Sequence, residues 1–112
     1  MPGKKICVML KSKPFSTINY YEALRNAAGF WEHQVSFIWM GDGIYAALKE
    51  VDTALTHRYF SELPDAGVSL YVEEEALRER GFTADDLTAG ITVAGKQKII
   101  ELLGEAQATL VF

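Results

Sequence analysis

Five short apolar runs alternating with stretches of helical spacing constrain this chain more than any other feature. The runs are Ile6 to Leu10, Val35 to Met40, Val68 to Val72, Ile91 to Val93 and Thr109 to Phe112. The first is apolar at every position, which fits a parallel strand buried on both faces. After a loop containing Pro14, Ser16 or Thr17 can cap a helix in which Ile18, Tyr21, Leu24, Ala27, Ala28 and Trp31 recur at helical spacing. Further helical stretches are expected over 44–48, 51–60, 73–80 and 97–103, the last with Ile99, Ile100 and Leu103 inward and Gly104 closing it. The alternation predicts an α/β protein. We expect a three-layer α/β/α sandwich around a mainly parallel sheet of about five strands. A chain of 112 residues has room for one core, so residues 1–112 are expected to form a single domain.

The stretch Leu70 to Leu87 carries the most local information. Leu70-Tyr71-Val72 reads as the apolar end of a strand, and Glu73 to Arg80 as a short helix with acids first and arginines last, the order that suits the helix dipole. Glu74 and Arg78 form a supportive i,i+4 pair. Gly81 stands where a helix-terminating glycine belongs. Thr83-Ala84-Asp85-Asp86 is a capping-box pattern with Asp in place of Glu. The strand therefore delivers Glu73 to a strand-to-helix junction, where open α/β sheets place ligands.

Tyr71-Val72-Glu73, Ala76-Leu77-Arg78-Glu79-Arg80-Gly81-Phe82, Thr83 and Asp85-Asp86-Leu87 together resemble the DsrE/DsrF-like sulfur-relay family, most closely the DsrF/TusC type of subunit. Two further points resemble it: Asp42-Gly43-Ile44-Tyr45 after the second strand, and Thr17 with Glu22-Ala23-Leu24. The resemblance implies the same sandwich fold. It also implies assembly, as a homo-oligomer or as a hetero-oligomer with related DsrE/TusD-type subunits. In family subunits that carry a persulfide, the cysteine lies eight residues before the glycine. That position here is Glu73. The resemblance thus implies a non-catalytic subunit or scaffold that lacks the carrier cysteine, belonging to a sulfur-transfer, sulfur-oxidation or tRNA-thiolation type of assembly.

Composition narrows the remaining classes. A net charge of −4 argues against direct nucleic-acid binding, although Lys4, Lys5, Lys11 and Lys13 cluster near the start. No apolar run approaches the ~18–20 residues of a membrane span, and the start of the chain does not read as a signal peptide. The single cysteine rules out an internal disulfide and fits a reducing, cytoplasmic setting. Cys7 lies inside the first strand and reads as a small core hydrophobe. Two scattered histidines, His33 and His57, and one cysteine offer no metal-ligand spacing and no nucleophilic triad. No cofactor is expected.

Three segments are expected to converge at the carboxyl edge of the sheet. They are Lys11-Ser12-Lys13 after the first strand, Gly41-Asp42-Gly43 with Tyr45 after the second, and Glu73-Glu74 after the third. Unpaired helix N–H groups there suit a small anion or small molecule. Asp42 is expected to cap the helix opening at Ile44, and Gly43 to take a positive φ. Glu73 either stabilises the first turn of its helix or serves as a general base. Three functions follow: the non-catalytic relay subunit; a small-molecule- or anion-binding homo-oligomer of the same fold; and an enzyme using Glu73 and Asp42. Tyr20, Phe30, Tyr45, Tyr59 and Phe60 are the aromatics expected at an interface.

Overall fold

The computed structural model describes residues 3–13, 19–30, 33–49, 63 and 67–112. Five strands, β1 (Lys5–Leu10), β2 (Gln34–Trp39), β3 (Ser69–Glu73), β4 (Ile91–Ala94) and β5 (Ala108–Val111), form one sheet in the order β4-β3-β2-β1-β5. Every pairing is parallel. The registers set Val8 opposite Phe37 and Leu110, and Phe37 opposite Leu70. All carboxyl ends therefore lie on one edge.

The chain steps from β1 to β4 in one direction and then crosses back to β5. Right-handed crossovers put α1 (Asn19–Gly29), a 3-10 helix (Gly41–Ala47) and α2 (Glu74–Glu79) on one face, and α3 (Lys96–Glu105) on the other. The packing agrees. Ile6, Val8, Leu10, Phe37, Trp39 and Val72 share the larger core with Tyr20, Leu24, Ile44 and Leu77. Met9, Ile38, Ala94 and Ile99 form a smaller core beneath α3. Alternate residues of each strand feed the two cores, as the pleat requires. A sheet apolar on both faces needs helices on both, which yields the three layers.

Local signals govern the ends of α2. Gly81 takes φ 78°. Its N–H donates to the Arg78 carbonyl at 3.0 Å, and that of Phe82 to Leu77 at 3.1 Å, the paired bonds of a Schellman stop. The Asp86 carboxylate then accepts from the Thr83 N–H at 2.8 Å. This capping box opens only a three-residue 3-10 turn, Ala84–Asp86. The Glu74–Arg78 pair is present at 3.9 Å. Both side chains are exposed, so it adds little.

Several expected faces are shifted. In α1 the buried stripe is Tyr20, Ala23, Leu24 and Ala27, so Tyr20 is a core residue and not an interface aromatic. Phe30 packs against the core. In α3, Ile99 faces the sheet, whereas Ile100 is 52% exposed. The helix continues through Gly104 to Glu105, so Gly104 does not close it. Ser16, Thr17, Trp31, Tyr59, Phe60 and the helix expected over 51–60 lie outside the described residues.

Cys7 is 2% exposed, and its thiol donates to the Leu102 carbonyl at 3.3 Å. Burial raises its pKa above the usual 9.0. An acid whose folded pKa is raised contributes stability that is complete below its unfolded pKa and fades as pH climbs past it. Stability is therefore expected to fall above about pH 9, and more steeply than in Cys7→Ala. Parallel alkaline unfolding curves for the two proteins would contradict this.

Candidate functional site

The strand order defines a crevice that spacing alone does not reveal. β3 passes its chain to α2 on one face, and its neighbour β4 passes its chain to α3 on the other. Adjacent strands whose connections diverge leave a cleft outside their carboxyl ends, the usual ligand position in open α/β sheets. Here the cleft is a depression of about 280 Å3 lined by Glu73, Glu74, Glu75 and Arg78 from the β3–α2 junction and by Lys96 at the start of α3. Counting three carboxylates against two cations, its lining carries a net charge of −1.

Glu73 ends β3 and precedes the first turn of α2 with φ −66° and ψ 118°, yet makes no capping bond to that helix. Its carboxylate accepts instead from the Gly41 N–H at 3.2 Å. This ties the third carboxyl-end segment to the second. Gly41 is the glycine of the Gly41-Asp42-Gly43 turn with positive φ, 51°. Gly43 is there for a different reason. Its Cα lies against the end of β1, and a built Cβ would overlap the Leu10 carbonyl oxygen and come within 2.7 Å of its carbon. The expectation of positive φ at Gly43 is thus corrected: close approach of two backbones requires this glycine.

Asp42 is not a helix cap. The 3-10 helix opens at Gly41, three residues before Ile44, with Met40 at its N-cap position and no side-chain cap. The Asp42 carboxylate accepts from Arg80 Nη2 at 2.9 Å and Nε at 3.3 Å. Arg80 also donates from Nη1 to the Ala76 carbonyl at 3.1 Å. The hydrogen bond to Asp42, reinforced by its charge, raises the Arg80 pKa despite partial burial. The guanidinium thus clasps the 3-10 helix to the end of α2. Asp42 is 44% exposed and Arg80 21%, so screening limits the pair. Asp42→Ala and Arg80→Ala should each cost about 1 kcal/mol, and the double variant scarcely more than either. Additive losses in denaturant titration would show that the two groups act separately.

The first segment meets the second through backbone. The Met40 N–H donates to Leu10 O at 2.9 Å. Ser12 turns the other way: its hydroxyl donates to the Phe112 carbonyl at 2.9 Å and accepts from Asn19 Nδ2 at 3.2 Å. The Lys11 N–H also donates to Phe112 O, at 3.3 Å. The side chains of Lys11 and Lys13 are exposed, and this segment sits at the β1–β5 end of the edge. Tyr45 stacks edge-on against Phe82, with centroids 6.0 Å apart. Of the expected site residues only Glu73 and Glu74 line the crevice; Gly41, Asp42 and Gly43 adjoin it through the Glu73 and Arg80 bonds. Glu75, Arg78 and Lys96 were missed as site residues. Gly95 before a helical stretch was the only hint of Lys96, and it identifies a site only once β3 and β4 are known to be neighbours.

Among the described residues, no group of three or more His, Cys, Asp and Glu is placed to hold a metal ion. His33 accepts from the Lys4 N–H at its Nδ1, 3.0 Å, and His57 lies outside the described residues. No described helix is long and apolar enough to cross a membrane.

The fold matches solved structures along nearly its whole length. With the ychN protein from E. coli it shares a TM-score of 0.85 at 16% identity, covering 97% of this chain and 99% of that one. With MTH1491, a protein of unknown function from Methanobacterium thermoautotrophicum, the TM-score is 0.71 at 19% identity, covering 96% of each chain. With BT1422, a conserved protein of unknown function from Bacteroides thetaiotaomicron, it is 0.65 at 16% identity, covering 96% and 95%. No curated protein matches the sequence. The sequence pattern of the DsrE/DsrF-like family matches residues 4–112, and the chain belongs to that family.

Proposed function

We propose that this chain is a non-catalytic subunit or scaffold of a sulfur-relay assembly, of the DsrF/TusC type. The observation that carries the reading is the state of Glu73 at the β3–α2 junction. The motif resemblance aligns this position with the carrier cysteine of persulfide-bearing relatives. A carboxylate stands there, already engaged by the Gly41 N–H. Only a thiolate attacks a sulfur donor, and the chain's one cysteine, Cys7, is buried in β1 with its pKa raised. The fold keeps the strand-to-helix presentation without the sulfur-bearing group. Its role is then to complete an assembly whose related subunits, of the DsrE/TusD type, carry the sulfur.

Two measurements test this. Intact mass after incubation with a sulfane-sulfur donor should show no added sulfur, and the native protein should co-purify with a cysteine-bearing relative of the same fold. Sulfur added to Cys7, or a chain that purifies without any such relative, would defeat the proposal. The mixed charge of the crevice supports a second reading, a homo-oligomer that binds a small molecule carrying both signs. Saturable binding lost in Lys96→Ala, together with indifference to sulfur-carrier subunits, would favour it. The third reading, an enzyme using Glu73 and Asp42, gains no support, because hydrogen bonds within the fold engage both carboxylates.

A further inference from the structure

Two helices begin at the mouth of the crevice, and their first turns have opposite chemistry. β3 and β4 are neighbours with Glu73 opposite Ala94 at their carboxyl ends, so the two chains leave the sheet one strand spacing apart, roughly 5 Å. The chain entering α2 carries Glu73, Glu74 and Glu75, an order that suits the dipole of that helix. The chain entering α3 carries Gly95, Lys96, Gln97 and Lys98, with no acid in the first turn and no side-chain cap. Lysine there works against the dipole. Lys98 has a local reason for its place, since its ammonium lies over the Tyr71 ring, 5.8 Å from the centroid. Lys96 has none: among the described residues its side chain makes no ion pair, hydrogen bond or ring contact. A residue that breaks a local rule without compensation is expected at a functional site.

Charge is also left unbalanced across the cavity. Of the five residues that line its 280 Å3 or so, Glu74 and Arg78 pair with each other at 3.9 Å. Glu73 gives one carboxylate oxygen to the Gly41 N–H at 3.2 Å and keeps the other. Glu75, like Lys96, has no side-chain partner among the described residues. Two carboxylates on one wall therefore face one ammonium on the other, and the lining has no apolar side chain. A molecule that balances these walls carries two cationic groups and one carboxylate. The cavity holds about nine waters at liquid density, close to the number of non-hydrogen atoms in a free amino acid with a long side chain.

We propose that the crevice binds a free basic amino acid of the lysine or arginine class. Its carboxylate lies at Lys96 and the uncapped first turn of α3, and its two cationic groups lie at Glu73 and Glu75. This rests on the second reading above, that the crevice takes a small molecule of both signs, and it adds the class of that molecule. The groups are open to solvent, so binding is weak and is weakened further by salt.

Titration of the full chain with L-lysine, followed through its backbone amide resonances, should saturate. Norleucine lacks the side-chain ammonium and cadaverine lacks the carboxylate; each should bind at least about fivefold more weakly, the loss of one ion pair. Lys96→Ala should weaken L-lysine by a similar factor and leave cadaverine unchanged, whereas Glu75→Gln should weaken both. Glu101→Gln, exposed farther along α3 and outside the lining, should change neither. Melting curves establish that the variants are folded, and if Lys96→Ala is not, Glu75→Gln decides. No saturation by L-lysine, or saturation that ignores both variants, overturns the proposal. If alanine then also fails to bind, the second reading falls with it. Norleucine binding as tightly as L-lysine and losing affinity in Lys96→Ala overturns the basic class alone and leaves a ligand of both signs in place.

Discussion

Gly43→Ala is expected to cost at least about 3 kcal/mol and to lower the melting temperature by ten degrees or more. A single methyl group is added, but it has no space. It would overlap the Leu10 carbonyl oxygen, lie 2.7 Å from the carbonyl carbon and lie 3.2 Å from the Lys11 nitrogen. These are backbone atoms at the end of a central strand, so no rotamer change relieves the clash. The same carbonyl accepts the Met40 N–H, and moving it breaks that bond and parts β1 from the chain leaving β2. Gly29→Ala is the control, since nothing lies within 4 Å there and the change should stay within a few tenths of a kcal/mol. Gly41→Ala falls between, at about 1–2 kcal/mol, because its φ of 51° is strained for any residue with a Cβ. If Gly43→Ala melted no lower than Gly41→Ala, the close approach of the turn to β1 would be wrong.

That ranking marks where sequence reading stops. Gly41-Asp42-Gly43 announces a tight turn, but nothing in the triplet says which glycine carries positive φ and which touches another strand. The second depends on β1 and β2 being neighbours. Asp42 was misread for a similar reason. Acid before a helix is a local cap pattern, whereas its partner Arg80 lies 38 residues away. Ambiguity of one residue also moved the helix faces. Tyr20 and Tyr21 differ by 100° on α1, as do Ile99 and Ile100 on α3, and a stripe defined by a few apolar residues does not separate them.

The features that were legible are those whose causes are local. The strand runs stand out because a parallel strand buried on both faces must be apolar almost throughout. Gly81 and the Thr83–Asp86 box are fixed by backbone needs within a few residues. Glu73 was legible as a junction because the apolar run stops there and helix formers begin. The crevice around it was not legible. It follows from β4 adjoining β3 while α3 crosses to the opposite face, and Lys96 becomes its neighbour only through that topology.

Trp39→Ala should cost about 3–5 kcal/mol, a large share of the stability of an ordinary domain. Trp39 is fully buried and among the largest side chains in the core. It ends β2, opposite Leu10 on one side and Val72 on the other, and its ring lies 4.5 Å from that of Phe37 at 54°. Truncation removes transfer energy, the ring contact and the filling of a cavity at the sheet's centre, and the surrounding backbone is too constrained by parallel neighbours to collapse into the space. Trp39→Phe retains a ring beside Phe37 and should recover more than half of the loss. Ile100→Ala offers the contrast: its side chain is half exposed, so the chain should lose less than about 1 kcal/mol. Chemical denaturation of the two variants compares the losses directly. A Trp39→Ala loss no larger than that of Ile100→Ala would mean that β2 does not run through the middle of the core.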